Sequence, residues 1–213
     1  VDYYWQDVSL LMEGPQTNLW RAPTDNDNGF AGISRRWLLA RLDHLQDRLA
    51  ACSWKMKDNR VVIQCETVQA PPVLLPACRS SYTYTVFGDG TIRIEVAFTP
   101  AAGLPYLPRL GTRWQIDGDL SQTTWYGRGP QESYPDKKSA AFVGLHQSAV
   151  ADLHEPYIRP QENGSHADTQ FVALTNDLGL GLLFSSESPF SFSAHDYSDE
   201  ALDRKSTRLN SSH

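Results

Sequence analysis

The sequence predicts an all-β protein built from antiparallel sheets. Apolar and polar residues alternate with a period of two along most of the chain from about Arg48 onward, and turn residues separate the alternating runs. This alternation is typical of strands that turn one face to a core and the other to solvent. Many short strands with turns between them are typical of a β-sandwich. A period of 3.6 residues is confined to one short stretch.

A hairpin is the first predicted element. The apolar residues Cys52, Trp54 and Met56 alternate with polar ones, and the alternation resumes over 61–66 after a turn at 58–59. Two alternating runs joined by so short a turn are typical of paired antiparallel strands. Because side chains of alternate residues share one face, we expect the apolar set to point inward.

A second hairpin is predicted around Gly88-Asp89-Gly90, between alternating runs at 82–86 and 92–98. Glycine supplies the positive φ angles that a tight turn between strands requires. Further strand candidates follow at the spacing expected of a sandwich. They are 110–116, 123–126, 141–145, 169–175, 181–184 and 190–192.

One short helix is predicted over Ser34–Leu45. Trp37, Leu38, Leu42 and Leu45 recur near helical spacing, and the hydroxyl of Ser34 is suited to an N-cap. We expect this helix to pack on the sheet.

A single domain is predicted over residues 1–202. We expect it to be incomplete at its start, since the chain begins at Val1 without methionine, and at its end, since the native sequence is interpreted as stopping near Leu202. The proline-rich segment 70–76 is interpreted as a crossing loop, since each proline removes a backbone donor from a sheet. A domain boundary is the alternative, but similar strand patterns on both sides favour one domain. Residues 203–213 agree at every position with the translation of a common short-read sequencing adapter. We therefore interpret them as an artefact tail and exclude them from the fold.

Composition excludes several classes of function. The formal charge is −6 and Lys and Arg are scattered, so no basic patch for nucleic acid is predicted. No apolar run reaches the roughly 18 residues of a membrane span. The three cysteines, Cys52, Cys65 and Cys78, are odd in number and lack metal-type spacing. We expect buried thiols in a reducing, cytoplasmic location.

The segment "NLWRAPTDNDNGF", residues 18–30, raises a choice between a metal loop, a catalytic acid pair and a structural corner. A calcium loop needs glutamate at position 12, where this chain has Arg35 or Arg36. Aspartates two residues apart in a turn usually bond their own backbone, whereas glycosidase carboxyls stand about 5–9.5 Å apart in a cleft. A looser cation site stays open, but we favour the corner. Its predicted structural residues are Trp20, Arg21, Pro23, Asp25, Asn26 and Asp27.

Two later clusters are also rich in polar groups. In 123–144, Trp125 ends a strand, and Arg128, Glu132 and Asp136 are candidates for ion pairs. In 154–171, aromatic, amide and carboxyl groups suit sugar hydroxyls, and the same groups suit a loop whose side chains satisfy one another. The candidate carbohydrate contacts are Arg159, Glu162, Asn163 and His166. The six histidines are too dispersed for a zinc site, so no metal ligand is assigned.

Four motifs in order resemble a known family. They are "NLWRAPTDND" (18–27), "WYGRGPQESYPD" (125–136), "PYIRPQENG" (156–164) and "LTNDLGLGLLF" (174–184). Together they resemble the C-terminal small-chain domain, domain 5, of bacterial β-galactosidases of glycoside hydrolase family 2. The resemblance covers about residues 4–202. It implies a galactose-mutarotase-like antiparallel supersandwich, here truncated.

The resemblance also implies a function. Enzymes of this family hydrolyse terminal non-reducing β-D-galactosides with retention, through a glycosyl-enzyme intermediate. Their two catalytic glutamates belong to a separate (β/α)₈ barrel, which also uses Mg²⁺ and often Na⁺. The chain is therefore expected to lack catalytic residues and cofactors of its own. We expect it to pack on that barrel, to help shape the β-galactoside site, and to assemble as a homo-oligomer when complete.

Two departures and two rivals accompany this hypothesis. Lys137 and Gln170 stand where arginine is typical of the family, so bidentate ion pairs are in doubt there. The main rival is a freestanding carbohydrate-binding module with Trp114, Trp125 and Tyr157 as stacking platforms. The second is mutarotase-like catalysis, for which the candidate pairs are His154 with Glu155 and His166 with Asp168.

Overall fold

A computed structural model describes residues 3–5, 7–29 and 32–210 of the chain. The strands are β1 (Tyr3–Trp5), β2 (Val8–Asn18), β3 (Gln46–Lys57), β4 (Arg60–Ala70), β5 (Cys78–Val86), β6 (Ile92–Pro100), β7 (Gly111–Ile116), β8 (Gln122–Gly129), β9 (Phe142–Ala149), β10 (His166–Thr175) and β11 (Gly181–Phe192). The α-helices are α1 (Asp25–Asn28), α2 (Ile33–Leu39) and α3 (Asp199–Asn210). Antiparallel pairing joins the strands. The predicted all-β class is confirmed.

The described residues group into two compact units. Unit 1 takes in the segments Val1–Pro15, Ala22–Asp25 and Trp114–His213. Unit 2 takes in the segments Gln16–Arg21 and Asn26–Arg113. The single domain over 1–202 stays a prediction, as does the adapter origin of 203–213, the first part of which lies within α3.

Unit 2 contains a four-stranded sheet in the order β3-β4-β5-β6. The first predicted hairpin is confirmed, with Lys57 opposite Arg60 and positive φ at Asp58 and Asn59, as a two-residue type I′ turn requires. The second is confirmed as β5 and β6. Segment 70–76 connects β4 to its direct neighbour β5. The crossing loop predicted there is therefore wrong, because the two strands it joins are adjacent.

The inward orientation predicted for the apolar residues of β3 is wrong. Every residue of β3 is exposed, and the side chains of Trp54 and Met56 are 72% and 71% exposed. Strand β3 lies at the edge of its sheet, and neither of its faces is covered well enough to bury a side chain. Period-two alternation shows which residues share a face, but it does not show whether that face is covered.

The prediction of buried thiols is wrong for two of the three cysteines. Cys52 and Cys65 lie directly opposite each other on β3 and β4 and form a disulfide. Cys78 is the free cysteine among the described residues, and it is buried. The hairpin register brings the first two together, since cross-strand neighbours in an antiparallel pair have adjacent Cβ atoms.

The predicted helix Ser34–Leu45 is too long. Helix α2 ends at Leu39, and Arg41 takes a left-handed conformation before a short 3₁₀ turn at Leu42–His44. Gly32 occupies the N-cap, and the Ser34 hydroxyl instead donates to Asn28 Oδ1 at 2.7 Å. Trp37 and Leu42 are nevertheless buried as expected. Their core cluster in unit 2 also contains Leu19, Trp20, Ala77 and Cys78.

Helices α1 and α3 were missed by the sequence analysis, so the expectation of one helix is wrong in number. α1 is a single turn within the polar segment 18–30. α3 opens with Asp199 and Glu200, where acidic side chains favour the positive end of the helix dipole. Within the described residues, no helix combines the length and the apolar character that crossing a bilayer requires.

Unit 1 contains a four-stranded sheet in the order β11-β10-β8-β9. The predicted strands 181–184 and 190–192 merge into the single strand β11. A buried core lies against this sheet, formed by Leu10, Leu120, Trp125, Leu153, Val172, Leu174 and Ala194. A third sheet has the order β1-β2-β7. Strand β2 was missed because Gly14 and Pro15 interrupt its pattern.

Candidate functional site

A partly open cavity of about 190 Å³ lies in unit 1, beside strands β8, β9 and β10. Its ionisable lining residues are Glu132, Asp152, Glu155 and His166. Its other lining residues are Trp125, Pro130, Gln147, Ser148 and Leu153. An aromatic and aliphatic wall combined with a few polar groups is typical of small-molecule sites. We call this the His166 cavity.

His166 begins β10 and is 1% exposed. Its ring packs 4.5 Å from the ring of Trp125 and 5.2 Å from that of Phe192. Burial lowers the pKa of His166 to about 4. The imidazole is therefore neutral at physiological pH.

The proton of His166 is fixed by one carbonyl. Nδ1 lies 3.2 Å from the backbone oxygen of Arg128, and a carbonyl can only accept, so Nδ1 carries the proton. Nε2 is then a bare acceptor, and it has no hydrogen-bond partner among the residues that the structure describes. A buried acceptor in this state favours any group that donates to it.

The Trp125 indole packs against the His166 ring. It is 0% exposed, and its Nε1 donates to the same Arg128 oxygen at 3.0 Å. A side chain at Gly129 would place a Cβ 2.8 Å from the Trp125 ring and 2.8 Å from His146. Glycine is required there because the tryptophan lies against the backbone.

Glu132 is buried and held by three donors. Oε1 accepts from Lys137 Nζ at 2.5 Å and from the Tyr157 hydroxyl, and Oε2 accepts from the Gly164 N–H at 2.8 Å. Burial opposes ionisation of Glu132, but these donors outweigh it and lower the pKa of the carboxyl. Gly164 has φ +68, and a Cβ on it would lie 2.6 Å from the Leu153 oxygen. A larger residue at position 164 would therefore disturb the Glu132 cluster, which consists of Glu132, Lys137, Tyr157 and Gly164.

Two of the three ion-pair candidates in 123–144 form ion pairs, Glu132 with Lys137 of the same segment and Arg128 with the distant Asp168. Arg128 Nε donates to Asp168 Oδ2 at 2.6 Å, and Lys138 Nζ binds Asp168 Oδ1 at 2.7 Å. Hydrogen bonds from Lys138 and then Arg128 lower the pKa of Asp168. Asp168 has φ 53 within an irregularity of the β10 and β11 register, which the short Asp side chain tolerates. Sequence spacing could not show this partner because it is distant along the chain.

The polar corner in 18–30 forms two separate sets of contacts. In unit 2, Trp20 is buried and packs edge-on against Trp37 at 6.3 Å. Arg21 Nη1 and Nη2 donate to the two oxygens of Asp27 at 2.6 and 3.1 Å. Asn18 Oδ1 accepts from the Trp20 N–H at 3.0 Å. Bidentate pairing and local bonds of this kind fix backbone geometry.

In unit 1, the Asp25 N–H donates to Gln161 Oε1 at 3.0 Å. The Asp25 carboxylate lies 3.6 Å from Arg159, with side chains 61% and 60% exposed. Pro23 of unit 1 is half-buried, and Asn26 of unit 2 is exposed. Asp25 and Asp27 thus bind different arginines and do not act as a pair.

The four candidate carbohydrate contacts do not come together. The Arg159 side chain is exposed, while Glu162 is buried and its N–H donates to the Ala22 oxygen. Within the described structure, only His166 of the four lines the cavity. Their role in sugar contact stays a prediction.

Asn163 has a structural set of bonds. Its Oδ1 accepts from the Glu155 N–H at 3.1 Å and from the Tyr197 hydroxyl at 3.2 Å. Its Nδ2 donates to the Gln161 oxygen at 2.9 Å. All three bonds hold the loop that precedes β10.

The candidate mutarotase-like pairs are not assembled as acid–base pairs. His154 Nδ1 lies 2.7 Å from the Tyr197 hydroxyl, and Asp168 faces Arg128 and Lys138 rather than His166. Two of the three candidate stacking platforms are not open to a sugar ring or already pack against another ring. Trp125 is fully buried, and Trp114 packs edge-on against Phe184 at 5.0 Å.

Among residues 3–5, 7–29 and 32–210, no group of three or more His, Cys, Asp or Glu residues could hold a metal ion.

Comparison with known proteins decides the family. A family described as "Beta galactosidase small chain" matches residues 2–211. This chain belongs to the β-galactosidase small-chain family. Proteins named β-galactosidase are similar to it, from Priestia megaterium (strain DSM 319 / IMG 1521) at 32% identity over 99% of the chain, from Actinobacillus pleuropneumoniae at 32% over 92%, and from Arthrobacter sp. (strain B7) at 34% over 80%.

The chain matches only a small part of each relative. The aligned segments cover 21%, 19% and 18% of those three proteins. The chain therefore spans about a fifth of the length of the curated relatives it matches. It corresponds to a small domain of a larger protein.

Proposed function

We propose that this chain is the noncatalytic small-chain part of a β-galactosidase, and that it packs on a catalytic barrel and helps to shape the galactoside site. The observation that carries the proposal is the coverage: almost the whole chain matches, and it matches about a fifth of each β-galactosidase. The parent reaction would be retaining hydrolysis of terminal β-D-galactosides. Cytoplasmic location, homo-oligomer assembly and barrel-bound Mg²⁺ and Na⁺ belong to the same proposal.

The geometry of the acids supports a noncatalytic role. Glu132 and Asp168 each bind lysine or arginine within the fold. Asp27 is held by both terminal nitrogens of Arg21. A retaining glycosidase needs one carboxylate free to attack and a second that can protonate the leaving oxygen. Carboxylates whose donors stabilise the ionised form suit neither the acid role nor substrate contact.

The contacts of the motifs support a role as scaffold. The corner at 18–30 is held by Trp20 in the core and by the Arg21–Asp27 pair. The segment "WYGRGPQESYPD" supplies Trp125 and Glu132, whose partners are on other loops of unit 1. Such motifs preserve shape, which is what a domain that packs on a catalytic partner needs.

Hydrolysis by the chain alone tests the proposal. The purified 213-residue chain is incubated with o-nitrophenyl β-D-galactoside, and release of nitrophenol is followed. We expect a rate equal to that of buffer. Turnover by the purified chain above the buffer rate would contradict the noncatalytic role.

Sequencing the genomic DNA next to the reading frame tests the larger protein. We expect a barrel-coding region directly upstream, in the same frame or in a neighbouring one. An intact unrelated gene with its own regulatory region at that position would contradict the proposal and favour a freestanding module.

A further inference from the structure

The disulfide between Cys52 and Cys65 lies at the open edge of the sheet in unit 2. Cys52 belongs to the edge strand β3, and Cys65 lies directly opposite it on β4. Within the described residues, no strand pairs with the other side of β3. The Cys52 side of the bridge is also exposed to solvent. Exposed disulfides are typically labile, regulatory or catalytic, because a thiol in solution can reach them.

The two sulfur atoms of the bridge differ in their access to such a thiol. A thiolate attacks one sulfur from the side opposite the sulfur that leaves. The disulfide joins cross-strand neighbours, so an attack on Cys52 Sγ comes from outside β3, where the edge is open. An attack on Cys65 Sγ comes from the side of β5, where Tyr82 lies directly opposite and is 2% exposed. Cys52 Sγ is therefore the sulfur that a dissolved thiol reaches.

Strand β3 is held in the sheet mainly by its backbone pairing with β4. Every residue of β3 is exposed, so its side chains contribute little burial. The pairing is irregular between Leu49 and Ala51, directly before Cys52. At the start of the strand, Asp47 Oδ1 accepts a hydrogen bond from Gln69 Nε2. Because segments with few buried contacts open locally at a low cost in free energy, we expect the disulfide to clamp β3 where its pairing is interrupted.

We propose that Cys52 and Cys65 form a reversible exchange site for low-molecular-weight thiols of the glutathione class. A thiolate attacks Cys52 Sγ and forms a mixed disulfide there, while Cys65 Sγ leaves as a thiolate. A second thiolate attacks the sulfur of the attached small molecule, and Cys52 Sγ leaves. The protein disulfide is reduced by two electrons, the cysteines take up the two protons that the small thiols lose, and the small thiols are joined in one oxidised disulfide.

Exchange at this site controls the edge strand. Reduction removes the clamp and frees β3, whereas a small oxidised disulfide runs the same steps in reverse and restores the clamp. In the reducing location proposed above, the thiol form would prevail, and oxidation would close the pair. Exchange is independent of galactoside hydrolysis, because it needs only the hairpin of β3 and β4.

Alkylation after treatment with glutathione tests the site. The folded chain is incubated with millimolar reduced glutathione, quenched with N-ethylmaleimide and mapped by peptide mass spectrometry. We expect Cys52 and Cys65 to be alkylated without denaturant, and the mixed disulfide with glutathione to be found on Cys52. A hairpin that stays disulfide-bonded until urea is added would overturn the proposal.

Cys78 is the internal control for unfolding. It is 1% exposed, and burial raises the pKa of its thiol, so it is expected to stay unmodified while the chain is folded. Alkylation of Cys78 at the same rate as the hairpin cysteines would mean that exchange requires unfolding, and the proposal would then be wrong.

Two single variants compare the access of the two sulfurs. Cys65→Ser leaves Cys52 as the hairpin thiol, and Cys52→Ser leaves Cys65. We expect oxidised glutathione to form a mixed disulfide about tenfold or more faster in Cys65→Ser, because its thiol lies at the open edge. Cys78→Ser is the matched control and is expected to be reduced by glutathione as the wild type is. Equal rates in the two hairpin variants, or the reverse order, would contradict attack at Cys52.

Hydrogen exchange measures the effect on β3. The disulfide closes a loop with a sequence separation of 13, and we expect its reduction to speed amide exchange in β3 about 10- to 100-fold. Exchange in β10 of unit 1 is expected to stay the same. A double variant, Cys52→Ser with Cys65→Ser, is expected to exchange at the faster rate with or without glutathione. Unchanged exchange in β3 after reduction would show that the disulfide does not clamp the strand, and the proposed control of β3 would fail.

Discussion

The sheet β8–β11 of unit 1 and the sheet β3–β6 of unit 2 each have four antiparallel strands, but they use their side chains differently. In the first, Trp125 and His166 are buried in the interior, at 0% and 1% exposed. In the second, the edge strand β3 leaves Trp54 and Met56 in solvent. The alternating pattern is similar in both. Burial therefore depends on what packs against a face, which the pattern of one strand does not contain.

The largest expected effect is on the free energy of unfolding, and it is tested by replacing one tryptophan in each sheet. Trp125→Ala removes a fully buried indole and is expected to lower the free energy of unfolding by about 3–5 kcal/mol. Trp54→Ala removes an exposed indole and is expected to change it by less than about 0.5 kcal/mol. Urea denaturation of the whole chain measures both. Equal losses in the two variants would show that the contrast in burial is wrong.

The second prediction concerns pH. The folded-state pKa of His166 is lowered from 6.5 to about 4, so between these values the unfolded chain binds a proton that the folded chain does not. Stability contributed by the neutral ring is therefore present above about pH 6.5 and is lost as pH falls toward 4, by about 3 kcal/mol. His166→Phe is expected to remove this part of the slope.

The control for the pH prediction is His44→Gln in unit 2. The His44 side chain is 56% exposed, so this variant replaces a histidine that is not part of a core. Urea midpoints between pH 4 and 7 provide the measurement. A His166→Phe slope equal to that of wild type would mean that the His166 ring is not buried in its neutral form.

The strands could be predicted from the sequence, whereas the polar interior could not. Alternation located both hairpins because it is a local property of each strand. The confirmed turn at Asp58-Asn59 also sets the register of the hairpin. Pairing residues outward from this turn places Cys52 opposite Cys65, so the sequence could have predicted that contact. The Glu132 cluster has no such signal, since Tyr157 and Gly164 reach it through folding of distant loops.

The third prediction compares two glycines with positive φ. Gly164→Ala would combine a left-handed conformation with a Cβ 2.6 Å from the Leu153 oxygen, and we expect a loss of about 2–3 kcal/mol. Gly103 has φ +83, but a Cβ on it would meet no atom of the described structure within 4 Å. Gly103→Ala is expected to cost about 1 kcal/mol. Thermal unfolding tests the order, and a larger loss for Gly103→Ala would contradict it.

The smallest expected effect distinguishes the two aspartates of the corner. Asp27→Asn breaks a partly buried bidentate pair with Arg21 and is expected to cost about 1–2 kcal/mol. Asp25→Asn affects an exposed contact with Arg159 and is expected to cost less than about 0.5 kcal/mol. Urea denaturation at low salt and at about 1 M salt measures both. A greater loss for Asp25→Asn would show that the exposed Asp25–Arg159 contact stabilises the corner more than the Asp27–Arg21 pair does.

Segment replacement in the Priestia megaterium relative tests the central claim most directly. The segment that matches this chain is deleted from that protein, or replaced by this chain, and hydrolysis of o-nitrophenyl β-D-galactoside is measured. We expect the deletion to abolish activity and the replacement to restore a measurable part of it, while replacement by the Trp125→Ala chain restores less. Full activity in the deletion protein would contradict the account, because the small-chain part would then contribute nothing to the galactoside site.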